Sequence, residues 1–148
     1  MMYHLVKFKQ SDMFEVVGQV VPRHMIGKYL NQTKKTKIFS CLGILHSELY
    51  LLKDEKGTIV AAGVIRTKRT PFQTKWLYGI EVKNDLQGRG IGTELIKALL
   101  DKARSEKVDS VQLKVDKNNH KAIRLYSKFD FRQIKSGKNT IIMRLKLS

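Results

Sequence analysis

Three glycines and an arginine crowd residues 88–92, where Gln87, Gly88, Arg89, Gly90, Ile91, Gly92 and Thr93 follow one another between an apolar strand and an apolar helix. Glycine costs a helix about 1 kcal/mol relative to alanine. A helix that opens on glycines therefore has a use for bare backbone. The first turn of any helix holds N–H groups without partners and carries the positive end of the dipole. Gly88, Gly90 and Gly92 let a ligand approach those groups, and Arg89 adds a charge and a hydrogen-bonding fork. Such a turn is an anion cradle, suited to a phosphate or pyrophosphate. Tight packing of helix on sheet accounts for one glycine, but not for three beside an arginine.

The type of phosphate ligand follows from spacing. The segment lacks the Lys-Ser/Thr pair of a Walker loop, and it misses G-x-G-x-x-G because Thr93 stands at the last position. It does carry Q-x-x-G-x-G on Gln87, Gly90 and Gly92. Farther on, Asn119, Ala122, Leu125 and Tyr126 form N-x-x-A-x-x-L-Y, followed by Phe129 and Phe131. The two motifs, in this order and separated by one helix and one strand, resemble the GNAT acyltransferase superfamily over residues 76–131. There are two departures from its pattern. Asp130 stands where the family usually has glycine, a position favouring φ > 0 that Asp tolerates better than most residues. Asn84 stands where many members have proline.

The resemblance implies transfer of an acetyl group from acetyl-CoA to an amine. The amides of residues 87–92 would hold the pyrophosphate, with Thr93 and Asn119 also on the cofactor side. The pantetheine arm would lie along the end of the strand carrying Ile80 and Val82, where the following strand splays away. Backbone N–H near Val82 would steady the developing oxyanion. Tyr126 would give its proton to the leaving thiolate as general acid. Glu81 is the candidate base; the other reading is a surface carboxylate paired with a lysine. Asp116 is the second candidate. Asn119 reads equally as a plain helix cap. Tyr126 also belongs to an apolar stripe, and its ring can be buried while its hydroxyl is presented. Cys41 reads as a buried apolar side chain rather than an acyl carrier. His4, His24, His46 and His120 lack metal-ligand spacing, so no metal is expected.

The elements that must position these groups are legible in the pattern. Residues 3–9 read as a strand. Helices are expected over 12–21 and 25–30, and a basic loop over 31–37. Residues 48–52 and 58–66 read as a hairpin turning at Gly57, with a loop over 67–73. Residues 76–82 read as a strand whose Trp76, Tyr78, Ile80 and Val82 share one face and Leu77, Gly79 and Glu81 the other. A helix over 90–107 carries the stripe Ile91, Leu95, Ile96, Leu99, Leu100 and Ala103. Val111, Leu113 and Val115 alternate as a strand. Asn118 or Asn119 caps a helix bearing Ala122, Leu125, Tyr126 and Phe129, and strands over 131–135 and 140–147 close the chain. The fold class is α/β: a single GNAT-like domain over 1–148. Its mixed sheet has antiparallel N-terminal strands, a central parallel strand–helix–strand unit and a C-terminal antiparallel pair.

The composition sets outer bounds. The chain has 148 residues, with 42% hydrophobic and 28% charged, which fits one soluble domain. One cysteine allows no internal disulfide and suits the cytoplasm. No run approaches the ~20 apolar residues that span a bilayer, so no membrane association is expected. The 29 Lys+Arg against 13 Asp+Glu give a charge of +16. A rival reading is therefore a basic binding module for nucleic acid or another polyanion, densest at Lys34, Lys35 and Lys37. Lysine outnumbers arginine, which weighs against base reading and against nucleic acid as the partner. A third reading is a CoA-binding relative without turnover. The expected partner is a small-molecule or protein amine, with an anionic group suggested by the charge. The chain would act as a monomer or homodimer.

Overall fold

The computed structural model describes residues 2–8, 45–69 and 73–148. The helices expected over 12–21 and 25–30, the loop over 31–37, the basic cluster Lys34, Lys35 and Lys37, Cys41, and Pro71 lie outside them. So do His24 and the side chain of His46.

Within the described residues seven strands form one mixed sheet in the order β1-β2-β3-β4-β5-β7-β6. The strands are β1 His4–Lys7, β2 Leu45–Lys53, β3 Ile59–Arg69, β4 Gln73–Val82, β5 Ser110–Asp116, β6 Arg132–Ser136 and β7 Thr140–Lys146. Among the described residues only β4 and β5 pair in parallel, joined by helix α1, Ile91–Ser105. A 3-10 turn, Asn84–Leu86, leads out of β4, and helix α2, His120–Ser127, leads out of β5. This is the architecture the pattern predicts, with β7 inserted between β5 and β6. The loop expected over 67–73 is shorter, because the β3–β4 ladder continues to Arg69↔Gln73.

Both helices lie on one face of the sheet, here the inner face. The predicted stripe of α1 is buried in full, against Tyr50 and Leu52 of β2, Ala61 and Ile65 of β3, and Val111 and Leu113 of β5. Ala122, Leu125 and Tyr126 of α2 pack on the same cluster. The other, outer face has its own small core of Leu49, Leu51, Ile59, Ala62 and Val64, with Phe8 and Tyr78 against it. Alternation along β2 makes the two clusters opposite faces: 49 and 51 point one way, 50 and 52 the other.

The face assignment predicted for β4 does not hold along its length. Gly63 pairs with Ile80 but Val64 pairs with Tyr78, so Gly79 is an extra residue. Its φ of 59° is left-handed, open to glycine at no steric cost. Beyond this bulge the faces swap. Leu77, Ile80 and Val82 all belong to the inner cluster, whereas Tyr78 belongs to the outer one. Strict alternation cannot foresee this, since a bulge shifts every later side chain to the opposite face.

At the far end of α1 a polar anchor is enclosed. The Lys75 ammonium, 2% exposed, pairs with Glu106, which also meets Lys102 at 3.0 Å. Burial pushes the Glu106 pKa up, but hydrogen bonds from Lys75 and Lys102 more than offset it and hold it below the usual value. At the opposite rim, β6 is exposed along its length and carries a register shift at Ile134. Among the described residues no helix is long and apolar enough to cross a membrane.

Candidate functional site

The β4–β5 ladder runs from Thr74↔Ser110 to Leu77↔Leu113 and stops, although β4 continues to Val82 and β5 to Asp116. The parting coincides with the Gly79 bulge. A cleft of about 570 Å³ opens there. Ile80 and Val82 line it from β4; Gln87, Gly88, Gly90, Ile91, Gly92 and Thr93 line it from the loop and the start of α1. Asn119, Ala122, Leu125 and Tyr126 line it from α2, together with Lys121, Arg124 and Lys128.

The glycine loop is built as the sequence requires. Gly88 and Gly90 have φ of 81° and 82°, and Gly90 is the N-cap of α1 without any side-chain cap. A Cβ built on either would meet nothing within 4 Å, so backbone conformation rather than crowding calls for glycine. Gly92 differs: a Cβ there would touch Val82 at 3.6 Å and Leu125 at 3.7 Å. The first amides of α1 to find an acceptor are those of Thr93 and Glu94, both on the Gly90 carbonyl. Among the described residues no backbone carbonyl accepts from Gly88, Arg89, Gly90, Ile91 or Gly92. Four of these residues, Gly88, Gly90, Ile91 and Gly92, line the cleft at the positive end of a fifteen-residue helix.

The strand end faces the same space. Lys83 donates its N–H to Val60 of β3 at 3.0 Å. By alternation the N–H groups of Val82 and Ile80 point the other way, toward the gap left by β5. The Val82 carbonyl, on that side, accepts from the Gln87 amide at 3.2 Å, and Gln87 also donates to Asn84 Oδ1 at 3.2 Å. Gln87 therefore fastens the loop to the strand.

On α2, Asn119 is the N-cap, its side chain accepting from the Ala122 N–H at 3.0 Å, and it lines the cleft as well. The Tyr126 ring lies edge-on to Phe131, centroids 5.9 Å apart. Burial raises the Tyr126 pKa, so the phenol stays protonated through the neutral range. The turn that ends α2 has Asp130 at φ of 63°, the left-handed conformation expected of it.

Three expected residues lie outside the cleft. Arg89 is exposed and is not among the residues that line the cleft. Glu81 pairs in register with Ala62 of the outer core, so it lies on the outer face, across the sheet from Tyr126. Asp116, the second candidate base, is occupied in the turn to α2, where Oδ1 accepts from the Asn118 N–H at 2.8 Å. The three cations of α2 were missed; their signal was the spacing of three and four from Lys121 to Arg124 to Lys128, which aligns them on one side of a helix. Among the described residues no carboxylate lines the cleft. Among the described residues no group of three or more His, Cys, Asp or Glu gathers to hold a metal.

Comparison with known proteins gives a consistent picture. The family model described as "Acetyltransferase (GNAT) family" matches residues 22–131. The N-alpha-acetyltransferase RimI of Mycobacterium tuberculosis is 39% identical over 79 residues, 53% of this chain and 48% of that protein. The match thus spans about half the length of that relative. A GNAT family acetyltransferase from Elizabethkingia anophelis, solved with acetyl-CoA bound, superposes with a TM-score of 0.69 at 18% identity, covering 98% of each chain. The ribosomal-protein-S18-alanine N-acetyltransferase of Escherichia coli superposes with a TM-score of 0.69 at 20% identity, covering 99% of this chain and 95% of that one.

Proposed function

The chain belongs to the acetyltransferase (GNAT) family, and we propose that it transfers an acetyl group from acetyl-CoA to the α-amine of a polypeptide. The observation that carries this reading is the set of amides on Gly88, Gly90, Ile91 and Gly92, which no backbone carbonyl of the described residues accepts from and which line the cleft beside the gap between β4 and β5. In this reading those amides hold the pyrophosphate, and Lys121, Arg124 and Lys128 add positive charge on the facing wall. Ile80 and Val82 turn their N–H groups to the thioester carbonyl and stabilise the charge that builds on its oxygen. Tyr126, kept neutral by burial, gives its proton to the departing thiolate, whose pKa is about 8.5 as a free thiol.

The amine arrives from the outer face, where Glu81 lies. An α-amine, with pKa about 7.7–8.0, is partly neutral near pH 7.4, whereas a lysine at about 10.4 is neutral in only about one part in a thousand. The α-amine thus asks less of a base, which suits a cleft that no carboxylate of the described residues lines. The name of the Mycobacterium tuberculosis relative points to the same acceptor class.

A melt and a thiol assay test the reading together. Acetyl-CoA at 100 times its Kd should add about 2.7 kcal/mol of stability. Free thiol should then appear with peptides bearing a free N-terminus and not with the same peptides blocked. No melt shift and no heat of mixing with CoA would overturn the cofactor assignment; equal thiol release from blocked peptides would overturn the acceptor.

A further inference from the structure

The outer face of the sheet carries an ordered pattern of charge that the transfer chemistry does not use. One cross-strand row runs through five strands: Arg66 beside Trp76, Trp76 beside Gln112, Gln112 beside Arg144, and Arg144 beside Arg132. Residues directly opposite one another share a face. Two members are held in place. Arg66 lies over the Tyr78 ring at 4.8 Å. The Gln112 amide oxygen, oriented toward donors, accepts from Arg144 Nη2 at 2.8 Å and Nε at 2.9 Å. One step toward the gap, Lys114 and Lys135 flank Ile142, both exposed. One step the other way, Lys146 lies beside Ser110. On these strands the acids of the outer face, Glu81 and Asp116, sit at the gap end. Beyond β6, Asp130 meets Arg132 at 3.5 Å, exposed on both sides.

The face is therefore polar in the literal sense. Carboxylates stand where an amine would enter, and arginines stand about four residues away along the strands. At about 3.3 Å per residue that separation is about 13 Å. A free amino acid has its carboxylate too close to its amine to reach both ends. An extended peptide, advancing at most ~3.3–3.6 Å per residue, brings its fourth or fifth residue to the arginine row. A nucleic acid would set phosphates against Glu81 and Asp116 as well as against the arginines, so the observed pattern favours a chain with one cationic end.

We infer that the outer face of β5, β7 and β6 selects acceptor polypeptides that carry acidic residues at about positions four to six, counting the free N-terminal residue as the first. This deepens the reading of the chain as an N-terminal acetyltransferase and rests on it.

The test measures binding, not turnover, on the full chain with CoA present. Three labelled probes are compared by fluorescence anisotropy at low salt: a nonapeptide with glutamates at positions 4 to 6, the same peptide with lysines there, and a nine-nucleotide RNA. The glutamate peptide should bind at least about tenfold more tightly than the lysine peptide. The double substitution Arg132→Glu and Lys135→Glu should erase that difference, and its CoA-induced melt shift should equal that of the unsubstituted protein. Equal binding of the two peptides, binding of neither, or RNA that competes the glutamate peptide away would each overturn the inference. The CoA melt shift would still stand if only the inference failed, so the two readings fail separately.

Discussion

Gln87 donates its side-chain amide to the carbonyl of Val82 at 3.2 Å, and so ties the anion-binding turn to the strand end that faces it. The Asn84 side chain takes a second bond from the same amide, so the tie also passes through the 3-10 turn. The loop and the strand thereby keep a fixed separation. Replacing Gln87 by alanine removes a contact worth about 1 kcal/mol. CoA affinity should fall by about fivefold in calorimetry while the melting temperature shifts by only a few degrees.

Gly90 and Gly92 should respond to alanine in opposite ways. Gly90 has φ of 82°, which costs a non-glycine residue roughly 1–2 kcal/mol, so Gly90→Ala should lower stability by that amount. Gly92 is inside α1 with ordinary backbone, and its new Cβ would meet Val82 and Leu125 at contact distance. Gly92→Ala should therefore leave stability unchanged or raise it, by up to about 1 kcal/mol. Yet it narrows the cleft between these same side chains, so CoA binding should weaken. Urea midpoints and CoA titrations of both variants separate the two effects.

Tyr126→Phe keeps the ring against Phe131 and removes only the hydroxyl. General acid catalysis contributes typically 10²–10⁴-fold, so kcat should fall by at least about a hundredfold with CoA affinity unchanged. Because burial raises the pKa of this phenol, activity limited by its protonated form should hold through the neutral range and be lost only at alkaline pH. An unchanged kcat in Tyr126→Phe at saturating substrates would remove the residue from the chemistry.

Stability at high pH should reveal the buried tyrosines. Burial raises the Tyr50 pKa, and the Glu48 charge and the hydrogen bond Tyr50 donates to Glu48 raise it further. Tyr126 is raised by burial as well. A phenol that ionises later in the folded than in the unfolded chain stabilises the fold fully below about pH 10. That contribution is lost as pH rises through the folded value. Urea midpoints should fall above pH 10, and Tyr50→Phe should make the fall shallower.

Lys75 and Glu106 make a sharper case. Glu106→Gln leaves a buried ammonium without its counter-charge, and should cost about 3 kcal/mol, the low end for breaking such pairs. Lys75→Met removes the need for the partner and should cost far less. Comparing the two unfolding free energies checks the pair. The depressed pKa of Glu106 adds a sign: its stabilisation is present above the unfolded carboxylate value and lost as pH falls through the folded one.

Much of this was legible in the residues. The apolar stripe of α1, the glycine turn, the Asn119 cap and the left-handed Asp130 each depend on local spacing, and local spacing is written in the chain. The swap of faces at Gly79 was not. A glycine within an apolar strand gives no period-two signal, and only the pairing partner decides whether it is counted or skipped. The position of β7 between β5 and β6 depends on contacts distant in sequence. The cations of α2 were visible as a spacing, but their bearing on the cleft required knowing which side of the helix turns inward. The inward and outward assignment of Glu81 failed to emerge for the same reason as the bulge.

The rim strand β6 has one more consequence. An open sheet border is a template on which foreign strands polymerise, and proteins guard it with charges and irregular pleats. Here the register shift at Ile134, with Arg132 and Lys135 on either side, supplies both safeguards. Neutral replacements at these two positions would strip the guard from an exposed isoleucine and invite fibrous aggregation, whereas reversing their sign keeps neighbouring molecules apart by mutual repulsion.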